Sequence, residues 1–271
     1  MVGEAERLAP SLLPRIAREF NQSETTFVMP PSTPEADWRL RSFTAAGVEV
    51  FGAGHNALGA WWWLAATGRL TLDQPRVELH QELGSRVLPV AVESTAGRPT
   101  DITMTQGPPE FGTVFDRPAT LASALGLTEP DLIPALPAQV VSTGTPHLLV
   151  GVLRAALFRA QPHPTKLSAV LKKAHAQGCY LYTIEATDPG VAADARFFNP
   201  TVGIAEDAAT GSAAGPLACY IKKISPKTGP TIVIAQGAAM GRPSRLTIEL
   251  RENQVQLRGV GVVVVEGTLS V

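Results

Sequence analysis

The feature that most constrains the fold is an internal repeat of a strand, a glycine turn and a helix of small residues. Residues 52–60 read Gly-Ala-Gly-His-Asn-Ala-Leu-Gly-Ala, and residues 206–215 read Glu-Asp-Ala-Ala-Thr-Gly-Ser-Ala-Ala-Gly. An Arg-x-Phe segment precedes each turn, at residues 41–43 and 196–198, with a similar spacing to the turn glycine. Two copies predict two related lobes whose helix N-termini face each other. Unpaired N–H groups and positive dipole ends then meet at one point. Such a point stabilises an anion or a developing enolate, so the repeat predicts an enzyme.

The composition is typical of a globular protein that acts on a small molecule. Of 271 residues, 45% are hydrophobic and 17% are charged, which indicates a hydrophobic core, and the length is enough for two domains. The net charge is −1 and no basic run occurs. Neither nucleic acid nor an anionic membrane surface is therefore expected as a partner.

Targeting and metal-binding signals are not found in the sequence. No basic region followed by an apolar stretch opens the chain, so no secretory signal is expected. The longest apolar run, residues 57–66, is too short to span a bilayer. Cys179 and Cys219 form no CxxC pair, so neither a disulfide nor a zinc site is expected. These observations predict a cytoplasmic protein with no metal.

Hydrophobic periodicity predicts a mixed α+β chain. Apolar spacing and capping residues indicate helices at residues 11–20, 55–67, 121–125, 166–177 and 211–221. Strand patterns occur at residues 25–29, 38–44, 48–51, 76–80, 87–93, 101–105, 140–142, 147–152, 179–186, 231–235, 245–250, 254–258 and 261–266. The helix at residues 55–67 is apolar on every side, which predicts burial on every side.

A break in the pattern predicts where the two lobes divide. Gln106-Gly107-Pro108-Pro109 marks the approach to a domain boundary. We expect an N-terminal lobe of residues 1–112 and a C-terminal lobe of residues 113–271, with the last strands able to cross back. Each lobe is predicted to be a curved, mostly antiparallel sheet wrapped around one central hydrophobic helix.

The second glycine turn carries residues that suit either helix capping or chemistry. Asp207, Thr210 and Ser212 are residue types that cap helices by bonding free N–H groups, and capping alone would explain them. Gly211 and Gly215 favour a site, because they remove side chains where a ligand would approach and capping does not require that.

The first glycine turn offers a histidine. His55 directly follows Gly54 at the predicted helix start, where the helix dipole would lower the imidazole pKa and keep the ring neutral. A neutral imidazole can accept or give a proton near pH 7. A structural role is the alternative for His55, and it is the interpretation adopted for His80, His147, His163 and His175. No dinucleotide, Walker, HExxH or GxSxG motif occurs.

Several segments together resemble the phenazine-biosynthesis isomerase (PhzF-like) family. They are Ser-Glu-Thr-x-Phe-Val at residues 23–28, Gly-His-x3-Gly at 54–59, Ser-Thr-Gly-x-Pro-His-Leu at 142–148, Glu-Asp-x-Ala-Thr-Gly-Ser-Ala at 206–213 and Gln-Gly-x2-Met-Gly-Arg-Pro-Ser at 236–244. The resemblance implies a fold like that of diaminopimelate epimerase, with two pseudo-symmetric lobes, a cleft between them and usually a homodimer. It also implies a cofactor-free isomerisation of dihydro-3-hydroxyanthranilate by a proton shift between carbons.

The resemblance also implies roles for particular residues. Glu24, which physical reasoning alone would leave as a solvated loop carboxylate, matches the main acid/base group, and His55 and Asp207 match its polar partners. The positions expected to contact substrate are Gly54, Asn56, Gly211 and Ser212.

The chain departs from the family pattern at two places. Family members usually begin with a further strand that carries Gly-Asn-Pro, and residues 1–4 read Met-Val-Gly-Glu with nothing comparable. Residues 61–63 are three tryptophans where the family has smaller side chains, which predicts a bulkier core or a dimer contact.

Epimerases of the same fold use a cysteine at each helix start, and these turns have none, so a two-thiol mechanism is excluded. The leading hypothesis is therefore an isomerase of a small carboxylated substrate. A catalytically silent binding or regulatory protein is the alternative, followed by a hydrolase or lyase in the same cleft.

Overall fold

Two copies of one strand–helix unit form the frame of the protein. The computed structural model describes residues 1–52, 54–252 and 254–270. The first unit follows α1 (Leu13–Phe20) and consists of β1 (Glu24–Met29), β2 (Trp38–Thr44), β3 (Glu49–Val50), α2 (His55–Ala66), β4 (Arg76–Leu83), β5 (Arg86–Thr95) and β6 (Arg98–Gln106). An intervening segment contains β7 (Glu110–Val114), α3 (Pro118–Ala124), β8 (Gln139–Ser142), β9 (Pro146–Gly151), α4 (Arg154–Arg159) and α5 (Pro164–Ala174). The second unit consists of β10 (Gly178–Thr183), β11 (Ala193–Asn199), β12 (Ile204–Asp207), α6 (Gly211–Ile224), β13 (Thr231–Gln236), β14 (Ser244–Arg251) and β15 (Gln254–Gly259).

The strand order shows the duplication. The sheet runs β1-β2-β4-β5-β6 and continues β15-β14-β13-β11-β10-β9-β8-β7. In the first unit β2 pairs with β4 in parallel across β3 and α2, and in the second β11 pairs with β13 in parallel across β12 and α6. The short strands β3 and β12 pair with β2 and β11 in corresponding places. Most remaining pairs are antiparallel, which confirms the predicted fold of two pseudo-symmetric lobes.

The repeated Arg-x-Phe segments hold these short strands. Arg41 of β2 binds both carboxylate oxygens of Glu49 in β3, at 2.7 and 2.8 Å. Arg196 of β11 binds both oxygens of Glu206 in β12, at 2.8 Å each. Such two-pronged pairs fix orientation as well as distance. Each glycine turn is therefore approached from a strand that an arginine holds in place.

The last strands of the two units join the lobes. β15 pairs with β6 in antiparallel register, with Leu257 opposite Met104, so the two halves share one sheet. The predicted division between residues 112 and 113 falls within β7, which pairs with β8 of the second half. That boundary stays a prediction.

Helix α2 is buried less completely than its sequence predicts. Trp61 is fully buried and its Nε1 donates to Gln81 Oε1 at 3.0 Å. Trp62 and Trp63 are only half-buried, and Ala66 is exposed. The prediction of burial on every side is wrong because one face of α2 lies toward the protein surface. The guanidinium of Arg69 stacks 4.2 Å from the Trp63 ring and covers part of that face.

Helix α6 is buried along most of its length, and its small residues let neighbouring side chains pack closely against it. Residues 211 and 213–221 are all buried. A side-chain carbon on Gly215 would lie 1.9 Å from Oε1 of Gln106 in β6, so the glycine leaves room for the Gln106 side chain against the helix. Helices α3, α4 and α5 form a further apolar layer over β8, β9 and β10.

One predicted strand is wrong. Residues 261–266 have no secondary structure, and Val262, Val264 and Val265 are 77%, 82% and 85% exposed. The valine pattern satisfies strand propensity, but in the described part of the chain no strand pairs with it beyond Gly259, where the β6–β15 ladder ends.

Among the described residues, no helix is both long and apolar enough to span a membrane.

Candidate active site

The N-termini of α2 and α6 meet at two glycines. α2 begins after Gly54, and α6 begins at Gly211. A side-chain carbon on Gly211 would lie 3.4 Å from Gly54 Cα, and one on Gly54 would lie 3.8 Å from the nitrogen of Gly211. The two helix starts, with their positive dipole ends, therefore face each other at close range. Ala53, which completes the first turn, lies outside the described residues.

Three polar side chains from different elements converge beside this junction. Glu24 opens β1, His55 opens α2 and Asp207 ends β12. His55 Nε2 lies 2.8 Å from Glu24 Oε2, and His55 Nδ1 lies 3.8 Å from Asp207 Oδ2. The Glu24 and Asp207 side chains are 11% and 4% exposed, whereas His55 is 37% exposed. The structure thus brings together the three residues that the sequence nominates for acid/base chemistry.

The charge of His55 differs from the one that the sequence predicts. Burial disfavours the charged ring, but the adjacent Glu24 carboxylate, and then Asp207, outweigh it and raise the pKa of His55 to about 9. The predicted lowering by the helix dipole is wrong, because two carboxylates act on the ring at short range. His55 is therefore protonated at neutral pH, where the sequence predicts a neutral ring.

A buried amide fixes Asp207 and the second glycine turn. Gln236 Nε2 donates to the backbone oxygen of Asp207 at 2.7 Å and to Thr210 Oγ1 at 2.9 Å, while its Oε1 accepts from Thr210 N at 3.1 Å and Tyr180 Oη at 2.8 Å. Thr210 Oγ1 in turn donates to Asp207 Oδ2 at 2.6 Å. Ser244 Oγ donates to the backbone oxygen of Ala208 at 2.5 Å. The 236–244 motif therefore holds the turn that carries Asp207.

Asn56, the second residue of α2, binds back to Gly54, the N-cap residue of that helix. Its Oδ1 accepts from Gly54 N at 3.1 Å, and its Nδ2 donates to Ser42 Oγ at 3.0 Å. Asn56 is 5% exposed, so both ends of its amide are engaged within the protein. The substrate contacts expected of Gly54 and Asn56 stay predictions, and the Gly54 N–H is already bonded to the Asn56 side chain.

Ser212 contacts a histidine that the sequence analysis assigned to a structural role. His147 in β9 is 2% exposed, and its Nε2 lies 3.2 Å from Ser212 Oγ. Burial lowers the pKa of His147 to about 3, so the ring is neutral. The sequence did contain a signal for a functional role of His147, because this residue lies in the 142–148 segment, which is one of those that carry the family resemblance.

Two cavities border the junction. One of about 260 Å³ has Arg86, Gln106, Thr143, Gly144, Thr145 and Ser212 in its wall. The other, of about 590 Å³, has His55, Ala209, Asp101, Arg245, Leu257 and Arg258 in its wall. Asp101 pairs with Arg258, and Arg245 pairs with Asp188.

The two thiols are remote from this chemistry. Cys179 lies in β10 and Cys219 within α6, and both are buried. Burial raises the pKa of Cys179 to about 12 and that of Cys219 to about 11, which disfavours the thiolate that a nucleophile or base needs. Within the described residues, no group of three or more histidine, cysteine or acidic side chains is arranged to hold a metal ion.

A duplicated fold with acid/base side chains between paired helix N-termini is compatible with an isomerase, and the comparisons with known proteins agree. The sequence model of phenazine biosynthesis-like proteins matches residues 2–267. The chain is 34% identical to a trans-2,3-dihydro-3-hydroxyanthranilate isomerase of Pseudomonas aeruginosa, over 97% of this chain and 90% of the relative. It is 30% identical to an uncharacterized isomerase of Clostridium acetobutylicum, over 99% and 91%. The protein belongs to the phenazine biosynthesis-like (PhzF-like) family and is an isomerase.

Solved structures agree with this assignment. A Pseudomonas aeruginosa protein described as a predicted epimerase superposes with a TM-score of 0.82 at 31% identity, covering 96% of this chain and 88% of that one. A hydroxyproline epimerase of Agrobacterium vitis superposes with a TM-score of 0.63 at 12% identity, covering 94% and 78%. The second likeness is one of fold alone.

Proposed function

We propose that this isomerase moves a proton between two carbons of a small carboxylated substrate without a cofactor. Glu24 is the base and acid that carries the proton, and His55 and Asp207 set its electrostatic environment. The proposal rests on one observation: at the junction of the two helix starts, the His55 ring lies between the carboxyl groups of Glu24 and Asp207. The relatives named as trans-2,3-dihydro-3-hydroxyanthranilate isomerases suggest the type of substrate.

The ion pair prepares Glu24 for proton abstraction. His55 Nε2, a cation at neutral pH, lies 2.8 Å from Glu24 Oε2 and stabilises negative charge there. Oε2 is buried against the ring, while the Glu24 side chain as a whole keeps 11% of its surface exposed. The other carboxylate oxygen, Oε1, is therefore the one proposed to accept a proton from carbon.

The reaction needs no net change in atoms or electrons. The Glu24 carboxylate forms an O–H bond as the substrate C–H bond breaks, and the released electron pair enters the conjugated system. The same proton then returns from Glu24 to a second carbon, which restores the carboxylate. Negative charge that develops on the substrate lies near the start of α6, where the first-turn N–H groups of Gly211 and Ser212 favour it.

The decisive experiment follows turnover and proton exchange. Trans-2,3-dihydro-3-hydroxyanthranilate is incubated with the protein in D₂O, and product and deuterium incorporation are measured by NMR. Glu24→Gln should lower turnover by about 10²–10⁴-fold, the usual contribution of a positioned acid/base group. Glu19→Gln, which changes an exposed carboxylate on α1, is the matched control and should keep full activity. Full activity of the Glu24→Gln protein would reject the assignment.

We also propose that the protein works as a cytoplasmic homodimer, as the family resemblance implies. The two free, buried cysteines are compatible with a reducing compartment. Light scattering on the purified protein should give twice the mass of the 28.6 kDa chain. A monomer mass at catalytic concentrations contradicts the dimer.

A further inference from the structure

The smaller cavity next to Ser212 contains one positive charge. Arg86 is the charged residue among the described residues of its wall, which is otherwise made of hydroxyl, amide, glycine and apolar groups. No carboxylate of the described residues lies within ion-pair distance of Arg86. The cavity therefore presents a cation without a described acidic partner.

One backbone hydrogen bond holds the guanidinium of Arg86 at the cavity, and a glycine leaves room beside it. Nη2 donates to the backbone oxygen of Phe51 at 2.7 Å, immediately before the first glycine turn. Nη1 lies 3.3 Å from where a side-chain carbon on Gly144 would stand, and Gly144 has a φ of +123° that favours glycine. An arginine already anchored in this way loses little side-chain entropy when it binds a ligand.

The hydrogen bond from His147 fixes the direction of the Ser212 hydroxyl. A neutral imidazole carries one N–H, and His147 Nδ1 is buried with no partner among the described residues. A proton on Nδ1 would be a buried donor without an acceptor, which is costly. The proton therefore resides on Nε2 and is donated to Ser212 Oγ at 3.2 Å. The hydrogen of Ser212 is then directed away from His147, and Ser212 lies in the cavity wall.

We propose that this cavity is the subsite for a carboxylate of the substrate, in which Arg86 supplies the charge and Ser212 a hydroxyl donor oriented by His147. The subsite adjoins the junction of the two helix starts, because Ser212 is the second residue of α6 and a side-chain carbon on Gly52, in the first glycine turn, would lie 3.8 Å from Ser212 Oγ. A planar guanidinium and a fixed hydroxyl suit the planar, two-oxygen form of a carboxylate. The inference rests on the proposed isomerase function, and it names the group by which that site selects its substrate.

A pair of ligands that differ only in charge tests the subsite. Titration calorimetry compares 3-hydroxyanthranilate with its carboxamide on wild-type protein, Arg86→Met and Arg245→Met. Wild type should bind the acid at least tenfold more tightly than the amide, and Arg86→Met should reduce that ratio to within about twofold. Arg245→Met, which removes the corresponding charge from the larger cavity, should keep the wild-type ratio.

A double-mutant cycle tests the positioning role of His147. Ser212→Ala and His147→Phe should each weaken binding of the acid by a similar factor, and the double variant should be no weaker than either. His147→Gln, which keeps an N–H donor, should restore most of the affinity while Ser212 is present and none in the Ser212→Ala background. A structural role for His147 would give additive losses instead.

The readout separates this inference from the proposed reaction. Binding needs no turnover, so Glu24→Gln should keep the preference for the acid while losing catalysis. Three results overturn the subsite: no preference for the acid in wild type, a preference that survives Arg86→Met, or one that Arg245→Met abolishes. Additive losses in the cycle overturn the role of His147.

Discussion

The starts of α2 and α6 have corresponding places in the duplicated fold, yet the histidine at one is protonated and the histidine at the other is neutral. At α2, His55 is part of the helix and lies between two carboxylates, which raise its pKa to about 9. At α6, the histidine is supplied by a neighbouring strand, and burial lowers the pKa of His147 to about 3. The duplicated units therefore have similar backbones but different side chains at their helix starts. The start of α2 is a proton-transfer site, and the start of α6 is a hydrogen-bonding site.

The largest expected difference between the two helix starts is in how much each contributes to kcat. His55→Gln removes the cation that faces Glu24 and should lower kcat by about 10²–10⁴-fold. Asp207→Asn keeps the shape of a side chain that lies farther from His55, at 3.8 Å, and should cost about tenfold. The measurement is the turnover of both variants on trans-2,3-dihydro-3-hydroxyanthranilate. A greater loss for Asp207→Asn would assign the dominant role to the second lobe.

The next largest difference is expected between the two arginine–glutamate pairs, in how much each contributes to the free energy of unfolding. Besides Glu206, Arg196 donates to the backbone oxygens of Leu157 and Ala160 at 2.9 Å each, and its side chain is 11% exposed. Arg196→Met leaves buried acceptors unpaired and should lower the free energy of unfolding by about 3–5 kcal/mol. Arg41 is 22% exposed, so Arg41→Met should cost about 1 kcal/mol. Urea unfolding measures both, and equal losses would show that the two pairs are equally important for stability.

The two histidines should also make stability depend on pH in opposite ways. The pKa of His55 is raised, so its contribution is fully present below about pH 6.5 and is lost as pH rises through about 9. The pKa of His147 is lowered, so its contribution is present above about pH 6.5 and is lost at up to about 1.4 kcal/mol per pH unit as pH falls toward 3.

Unfolding curves of wild type, His55→Gln and His147→Gln across this pH range test the signs. The difference between wild type and His55→Gln should shrink on the alkaline side. The difference between wild type and His147→Gln should shrink on the acid side. A reversed dependence for either residue contradicts the charge assigned to it.

The sequence predicted the frame well because the frame is local and repeated. The glycine turns, the small-residue helices and the Arg-x-Phe strands each depend on residues close together in the chain, and their duplication indicated two lobes. Glu24 could not be singled out by physical reasoning, because its importance depends on β1 lying beside the start of α2. Only the family resemblance brought it forward.

The errors concern long-range packing. The charge of His55 depends on two carboxylates from β1 and β12, which outweigh the local helix dipole. The roles of His147 and Arg86 depend on contacts with Ser212 and Phe51, 65 and 35 residues away. The 261–266 segment has a strand pattern, but a pattern cannot supply the neighbouring strand that a ladder needs.

The smallest expected difference lies in the two glycines at the junction. A side-chain carbon on Gly211 would lie 2.2 Å from Leu257 Cδ2 and 3.4 Å from Gly54 Cα, so Gly211→Ala must displace packed groups and should cost about 1–3 kcal/mol of unfolding free energy. Gly54 has a φ of −113°, and a carbon there would meet no atom closer than 3.4 Å, so Gly54→Ala should cost less, about 0.5–1 kcal/mol, because alanine is a poorer N-cap than glycine. Thermal and urea unfolding measure both. If Gly54→Ala proves the more harmful, the close approach of the helices depends on the first turn, and the asymmetry between the two helix starts would then extend from their side chains to the backbone itself.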